Sequence, residues 1–209
     1  MKTIHILLFV KLTVVSIAAN ASTVNFKTPG VYSNDSLLQK PFELVIDSLI
    51  PKANHFVKQH GFNDDIIFIA DLSIHSGLPR FAIVSLKQKK ILCKGMVAHG
   101  CGNFGYSEKA AFSNLPNSNC SSPGKYKIGA KYNGNFGKAY KLYGLESSNS
   151  NAYRRNIVLH GYECVTGNIT YPQYLCNSRG CPMVSYSFLK ILEHYIDAAK
   201  KPLLLWIVK

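Results

Sequence analysis

Hydrophobic and polar residues alternate with two different periods along this chain, and the period changes near Ile66. Before that point the pattern favours two helices, over residues 41–50 and 52–60, with Pro51 as the break between them. After it, short apolar runs bounded by Gly, Asn, Ser or Lys predict strands. The predicted strands cover residues 66–70, 81–84, 91–98, 126–128, 140–145, 157–159 and 203–208.

A last helix is predicted after Ser185, whose hydroxyl suits the N-cap position. Its apolar positions recur with the helical period and are Phe188, Leu192, Tyr195 and Ala199. The 209 residues suffice for one domain with a substantial core. The pattern therefore predicts a mainly β fold with a few helices.

The first 21 residues have the pattern of a secretory signal peptide. A basic start at Lys2 precedes an apolar stretch, and Ala19-Asn20-Ala21 offers the small residues that a signal peptidase requires. Lys11 interrupts the apolar stretch, so we expect no stable membrane insertion once the signal is removed. A buried N-terminal helix is the alternative. The predicted division of the chain is a signal peptide (1–21), an N-terminal leader and helical appendage (22–64) and a main domain (65–209).

The strongly positive charge of the chain, +13, narrows the classes of partner. Its Lys and Arg residues are scattered and accompany no nucleic-acid-binding motif, so we expect no nucleic-acid partner. An exported basic protein is attracted to anionic cell-wall polymers or membrane surfaces. A basic surface that only increases solubility is the equally good alternative.

Six cysteines in an exported protein indicate disulfide bonds. Cys164 and Cys176 flank a single loop, and we predict that they form a pair. If one of the other thiols is catalytic, at least one more must be free or paired between molecules.

One segment carries residues suited to nucleophilic catalysis. His160-Gly161 ends a predicted strand, and the sequence Ser178-Arg179-Gly180-Cys181-Pro182 follows after a loop. A cysteine thiol has a pKa of about 8.5 and reacts as the thiolate, so it needs a base such as an imidazole. Gly180 permits a tight turn that leaves backbone amides facing a developing oxyanion. The alternatives are a buried or disulfide-bonded Cys181 and a structural core histidine at position 160.

Several short motifs in a fixed order resemble the murein L,D-transpeptidase catalytic-domain family, the YkuD-like cysteine enzymes, and in particular its Cys-Pro branch. The motifs occupy residues 97–100, 112–114, 121–126, 144–146, 155–161 and 178–182. The resemblance implies an L,D-transpeptidase-like mixed β-sandwich or barrel with an N-terminal helical appendage. It also makes residues 65–209 the catalytic domain.

The resemblance implies roles for the matching residues. The catalytic positions are Cys181 as nucleophile, His160 as general base, Ser178 to orient the imidazole, and Gly180 beside Cys181 for the oxyanion amides. The larger branch of the family has an arginine two residues after the cysteine, where this chain has Met183. Arg179 is then the nearest candidate for binding a substrate carboxylate.

Three further residues are candidate substrate contacts. Tyr162 and Tyr174 lie in the loop bracketed by His160 and Cys181, where aromatic bulk would shield an acyl-enzyme from water. His99 forms a second His-Gly pair, for which a structural role is favoured over a catalytic one. We expect no metal and no cofactor, because the sequence lacks a His-x-His or His-Glu-x-x-His pair and the cysteine spacing of zinc sites.

The resemblance implies an exported enzyme of the periplasm or cell envelope that acts on peptidoglycan stem peptides and forms cross-links. The alternatives are an L,D-carboxypeptidase that hydrolyses the terminal D-Ala of the same stems, and an inactive basic protein that binds the wall. A sortase is disfavoured because it would show Thr-Leu-x-Thr-Cys before a downstream arginine, and no arginine follows Cys181. Papain-like enzymes are disfavoured because they place the cysteine before the histidine.

Overall fold

The computed structural model describes residues 36–103 and 105–209, with side chains from residue 41 onward. The predicted signal peptide and the predicted leader over residues 22–34 lie outside the described residues. Within the described ranges, no helix is both long enough and apolar enough to cross a membrane.

One long helix, α1 (Ser36–Gln59), replaces the two short helices that the sequence predicts. The expected break at Pro51 is wrong, because the helix continues through that proline. A proline inside a helix removes one backbone hydrogen bond, at a free-energy cost of about 3 kcal/mol. Here Ile50, Ala53 and Val57 are buried in one core cluster together with strand residues, and this burial offsets the lost bond.

A mixed sheet of eight strands forms the main body of the described fold. The strands are β1 (Ile66–Asp71), β2 (Phe81–Ser85), β3 (Lys90–Gly95), β4 (Gly124–Gly134), β5 (Gly137–Gly144), β6 (Val158–Gly161), β7 (Met183–Val184) and β8 (Leu204–Val208). Their order across the sheet is β3-β2-β1-β8-β4-β5-β6-β7. The β1–β8 and β6–β7 pairs are parallel, and the other pairs are antiparallel.

The two faces of the sheet bury different helices. Successive side chains of a strand point to opposite faces, so β1 places Ile67 and Ile69 in the core cluster beneath α1. It places Phe68 and Ala70 in the second cluster, which contains the apolar face of the other helix, α2 (Tyr186–Ala198). The prediction of a mainly β fold with a few helices is confirmed.

Helix α2 begins where the sequence predicts it. The Phe188 N–H donates to Ser185 Oγ over 3.1 Å, so Ser185 caps the helix as expected. Phe188, Leu189 and Leu192 are buried against the sheet. This helix fixes the end of β7, and β7 carries the chain directly out of the Cys181 turn.

Two strands are longer than the sequence indicates. One face of each is polar, so the run of apolar residues that predicts a strand is interrupted. Strands β4 and β5 pair along most of their length and form a hairpin whose tip is Asn135-Phe136. Conversely, β3 ends at Gly95, three residues before the predicted end at Ala98. The hairpin tip matters for function because it reaches His160.

The predicted disulfide between Cys164 and Cys176 is present, with a Cα–Cα distance of 6.1 Å. It closes the loop between β6 and the Cys181 turn. Cys93, Cys101, Cys120 and Cys181 are free thiols.

Candidate functional site

The parallel pair of β6 and β7 brings the two principal candidate residues to one edge of the sheet. His160 on β6 lies opposite Met183 on β7, and Cys181 precedes Met183 by two residues. The turn before β7 is held from its other side by residues 98–101: the Ser178 N–H donates to His99 O, and the Cys101 N–H donates to Ser178 O, each over 2.8 Å. The turn that carries Cys181 therefore sits between two backbone segments.

The thiol of Cys181 rests against the backbone that leads into β6. The Val158 N–H donates to its Sγ over 3.4 Å, and the thiol donates to Asn156 O over 3.8 Å. Burial raises the pKa of Cys181, while the Val158 N–H and the charges of Arg155 and Lys141 act in the opposite direction. The resting group is therefore a neutral thiol that needs a base.

The His160 imidazole is held in the form that a general base requires. Its Nδ1 lies 3.0 Å from Gly161 O, and because a carbonyl only accepts, the proton belongs on Nδ1 and Nε2 is left as the basic nitrogen. Burial lowers the pKa of His160, so the ring is neutral at physiological pH. The Phe136 ring stacks on the imidazole with centroids 4.6 Å apart.

The thiol and the imidazole are both linked to β6. The Val158 N–H that donates to Cys181 Sγ belongs to this strand, two residues before His160. Within the described residues, no hydrogen bond joins the thiol to the imidazole. Catalytic hydrogen bonds are often long in free enzymes and shorten when substrate binds.

Ser178 and Gly180 serve the turn itself, which differs from the roles expected for them. The Ser178 hydroxyl donates to Cys181 O over 2.6 Å and accepts from the Gly180 N–H over 3.1 Å. The Ser178 hydroxyl therefore bonds to the backbone of the Cys181 turn and not to the imidazole, and the Gly180 N–H is used within the turn. Gly180 has φ +110, and a Cβ there would lie 2.7 Å from Cys120 O, so only glycine fits.

His99 does not line a substrate site, which corrects its place among the candidate contacts. Its side chain is fully buried. The Arg80 guanidinium donates to its Nδ1 over 2.8 Å, and its Nε2 lies 3.1 Å from Asn177 Nδ2. Burial, together with the Arg80 charge, lowers the pKa of His99 to about 4. His99 is a structural residue that braces the segment carrying Ser178.

The other three candidate contacts differ in their exposure and in their neighbours. Arg179 is exposed and lines a surface pocket of about 170 Å³ beside Ser178. Tyr162 lies near His160, with the centroids of the two rings 6.4 Å apart. Tyr174 is 47% exposed. Of the two loop tyrosines, Tyr162 is the one that contacts the surroundings of His160.

Sequence reasoning missed Phe136 and Arg155. Phe136 lies in the predicted gap between β4 and β5, and no signal in the chain marks its stacking on His160. Arg155 lies within the 155–161 motif, so its position was visible while its role was not. Its guanidinium donates to Cys120 O over 2.6 Å, next to Gly180.

No group of three or more His, Cys, Asp or Glu side chains among residues 41–103 and 105–209 is arranged to hold a metal ion. The chemistry available at this edge is that of a thiol, an imidazole, backbone amides and one guanidinium.

Solved structures with similar folds include an L,D-transpeptidase from Mycobacterium smegmatis, with 13% identity over 69% of this chain and 59% of that one, at a TM-score of 0.41. The helical cell shape determining protein Pgp2 from Campylobacter jejuni shares 15% identity over 69% of this chain and 48% of its own, at a TM-score of 0.43. An L,D-transpeptidase from Xylanimonas cellulosilytica shares 11% identity over 73% and 68%, at a TM-score of 0.40. The chain spans about half the length of the first two structures.

Among curated proteins, none matches this chain. The family model of the L,D-transpeptidase catalytic domain matches residues 41–206, which is most of the chain. This protein therefore belongs to the L,D-transpeptidase catalytic domain family.

Proposed function

We propose that this protein is an exported cysteine L,D-transpeptidase that cross-links peptidoglycan stem peptides through an acyl-enzyme on Cys181. The observation that carries the proposal is the pairing of β6 with β7 in a chain of this family. It places Cys181 against the backbone of the strand that bears His160, whose Nδ1 is bound to Gly161 O.

In the first half-reaction, His160 Nε2 accepts the thiol proton as Cys181 Sγ attacks the carbonyl that precedes a terminal D-Ala. Because the resting thiol and imidazole are both neutral, proton transfer accompanies attack. The tetrahedral intermediate collapses when the D-Ala nitrogen leaves with the proton held by the imidazole. The thioester formed on Cys181 divides one difficult substitution into two easier ones.

A backbone N–H group stabilises the negative charge that develops on the carbonyl oxygen in this step. The Gly180 N–H donates to Ser178 Oγ, so we assign the Cys181 N–H as the donor to the oxyanion. Removal of one oxyanion donor typically lowers kcat by about 10²–10³-fold in such enzymes.

In the second half-reaction, an acceptor amine attacks the thioester while His160 takes its proton, and Cys181 leaves as the thiol. Water in place of the amine gives a carboxypeptidase. Phe136 and Tyr162 cover the imidazole, with the Phe136 ring stacked on it and the Tyr162 ring edge-on to Phe136 at 5.6 Å. This cover favours a positioned amine over bulk water.

Export and an envelope location are part of the proposal and rest on the signal-peptide pattern of residues 1–21. The exported protein is expected to begin at Ser22, and its intact mass tests this. A mature form that retains Met1 contradicts the export assignment.

The central experiment incubates the purified full chain with a disaccharide-tetrapeptide and reads the products by mass spectrometry. We expect cross-linked dimer to increase with acceptor concentration and Cys181→Ala to produce neither dimer nor tripeptide. Cys93→Ala is the matched control, because Cys93 is another free, partly buried thiol, located on β3.

The possible results separate three functions. Tripeptide alone at every acceptor concentration identifies an L,D-carboxypeptidase. Turnover by Cys181→Ala equal to that of the unmodified chain contradicts the mechanism. Absence of turnover by the unmodified chain, with binding to isolated cell wall retained, identifies an inactive wall-binding protein.

A further inference from the structure

Arg155 donates hydrogen bonds to four residues of the chain beside the Cys181 turn. Its Nη1 donates to Ser113 O (2.8 Å) and Ser122 Oγ (3.0 Å), and its Nη2 donates to Cys120 O (2.6 Å) and Ser118 Oγ (3.3 Å). All four acceptors come from one segment, residues 113–122, which otherwise has little regular structure. The guanidinium therefore holds this segment in place.

The charge of Arg155 has no anionic partner. Its four acceptors are carbonyl and hydroxyl oxygens, and in the part of the chain that the structure describes it forms no ion pair with a carboxylate. A partly buried cation without a counter-charge is unfavourable unless something nearby becomes negative. The question is which neighbouring group becomes negative.

Cys181 is the neighbour that acquires negative charge. Its Sγ rests on Asn156 O and the Val158 N–H, so it lies against the residues that follow Arg155 in the chain. A Cβ placed on Gly180 would lie 3.1 Å from Arg155 Nη2, which shows how closely the guanidinium approaches the turn before the thiol. Both the thiolate and the oxyanion therefore form close to an uncompensated positive charge.

We propose that Arg155 is a positioning residue that supplies the positive charge for the Cys181 thiolate and holds residues 118–122 against Gly180. It does so from a position three residues before the start of β6. This inference deepens the proposed function and rests on Cys181 as its nucleophile.

Three other ionisable groups surround Cys181 and must be separated from Arg155 in any test. Lys141 on β5 favours the thiolate. Tyr126 on β4 is buried, with its pKa raised to about 12, so it stays neutral. His160 on β6 titrates below its ordinary range. These three side chains are the same in every variant. Loss of the Arg155 charge would only raise the pKa of Tyr126 further, so Tyr126 stays neutral in all of them.

The test measures alkylation of Cys181 by iodoacetamide as a function of pH, with the Cys181 peptide quantified by mass spectrometry so that the other thiols do not interfere. Arg155→Gln keeps amide N–H donors but loses the positive charge. Arg155→Lys keeps the positive charge but loses the two planar guanidinium nitrogens that donate to the segment. We expect Arg155→Gln to move the reactivity profile to higher pH and to slow alkylation near pH 7.5 by about tenfold. Arg155→Lys should remain within about threefold of the unmodified chain.

Arg154→Gln is the control, because this exposed arginine is the next residue in the chain and shares none of these contacts. Equal shifts in Arg155→Gln and Arg155→Lys, in folded proteins, overturn the electrostatic role and leave only a structural one. An unchanged profile in Arg155→Gln also overturns it. Alkylation can be measured without peptide turnover. If the unmodified chain fails to process tetrapeptide but the pH profile of alkylation still shifts in Arg155→Gln, the proposed function is rejected and the role of Arg155 is retained.

Discussion

Two of the three His-Gly dipeptides in the chain lie beside the same turn, and their histidines differ in what surrounds the ring nitrogens. His99 has both nitrogens beside polar side chains, Arg80 on one side and Asn177 on the other. His160 has one nitrogen on a backbone carbonyl and an aromatic ring stacked on its face. A buried histidine whose basic nitrogen accepts from a buried guanidinium holds structure together, whereas one with a free basic nitrogen is available for proton transfer.

Protonation would also have different electrostatic consequences at the two histidines. His99 would bring a second cation against the buried Arg80 guanidinium, whose own pKa burial lowers to about 9. His160 faces no cation of this kind, and its pKa is lowered by burial alone, with partial compensation from Gly161 O. Protonation therefore disrupts the fold at His99 and is a step of the proposed reaction at His160.

The largest effect in this comparison is expected from His160→Gln. The amide cannot accept and return a proton as imidazole does, so kcat/KM for tetrapeptide should fall by about 10³-fold. The midpoint of urea unfolding should change little. His55→Gln is the control, because His55 is exposed on α1. Activity of His160→Gln close to that of His55→Gln would mean that the base is elsewhere.

His99→Leu should reverse this pattern and reduce stability more than activity. The substitution keeps the backbone bond from Ser178 N to His99 O but removes the acceptor of the buried Arg80. Leaving one such donor unpaired lowers the free energy of unfolding by about 2–3 kcal/mol. Urea unfolding at pH 7.5 measures it. A stable variant with greatly reduced turnover would instead place His99 in the reaction.

The lowered pKa of His99 also makes the free energy of unfolding depend on pH. The pKa of His99 lies near 4 in the folded protein and near 6.5 in the unfolded chain, so the unfolded chain binds more protons between these values. The favourable contribution is complete above pH 6.5 and is lost as pH falls toward 4. We expect the unfolding free energy of the unmodified chain to fall across this window, and that of His99→Leu to fall less. Parallel curves for the two proteins would contradict this assignment.

Local chemistry explains what the sequence could predict here. The cap at Ser185 and the Cys164–Cys176 bridge each depend on residues close together in the chain. The choice of Cys181 as the candidate nucleophile likewise rests on its immediate neighbours, above all Gly180. These features need no knowledge of the tertiary fold.

Tertiary contacts explain the features that the sequence could not predict. Arg155 acquires its role from partners 33 to 42 positions earlier in the chain. The continuity of α1 through Pro51 depends on burial against the sheet, which local propensity does not contain. The contacts of His99 and His160 were likewise invisible in the sequence, since each is followed by glycine and only the fold determines what surrounds the ring.

The smallest expected effect concerns the cover over His160. Phe136 is 46% exposed at the hairpin tip and stacks on the imidazole. In Phe136→Ala the ring becomes more hydrated, so the desolvation that lowers the pKa of His160 weakens and the pKa rises toward its ordinary value. Since the base must be neutral, the acid limb of kcat/KM should move to higher pH, with a loss of about threefold at pH 6 and less at pH 8.

Water should also reach the thioester more easily in Phe136→Ala, so the share of hydrolysed tripeptide should increase relative to cross-linked dimer. Tyr171→Ala is the matched control: Tyr171 is 47% exposed and packs edge-on against His75, in the loop between β6 and the Cys181 turn. If the two variants give the same pH profile and the same product ratio, the aromatic cover has no role in protecting the acyl-enzyme. A change confined to Phe136→Ala assigns that protection to the tip of the β4–β5 hairpin rather than to Tyr171.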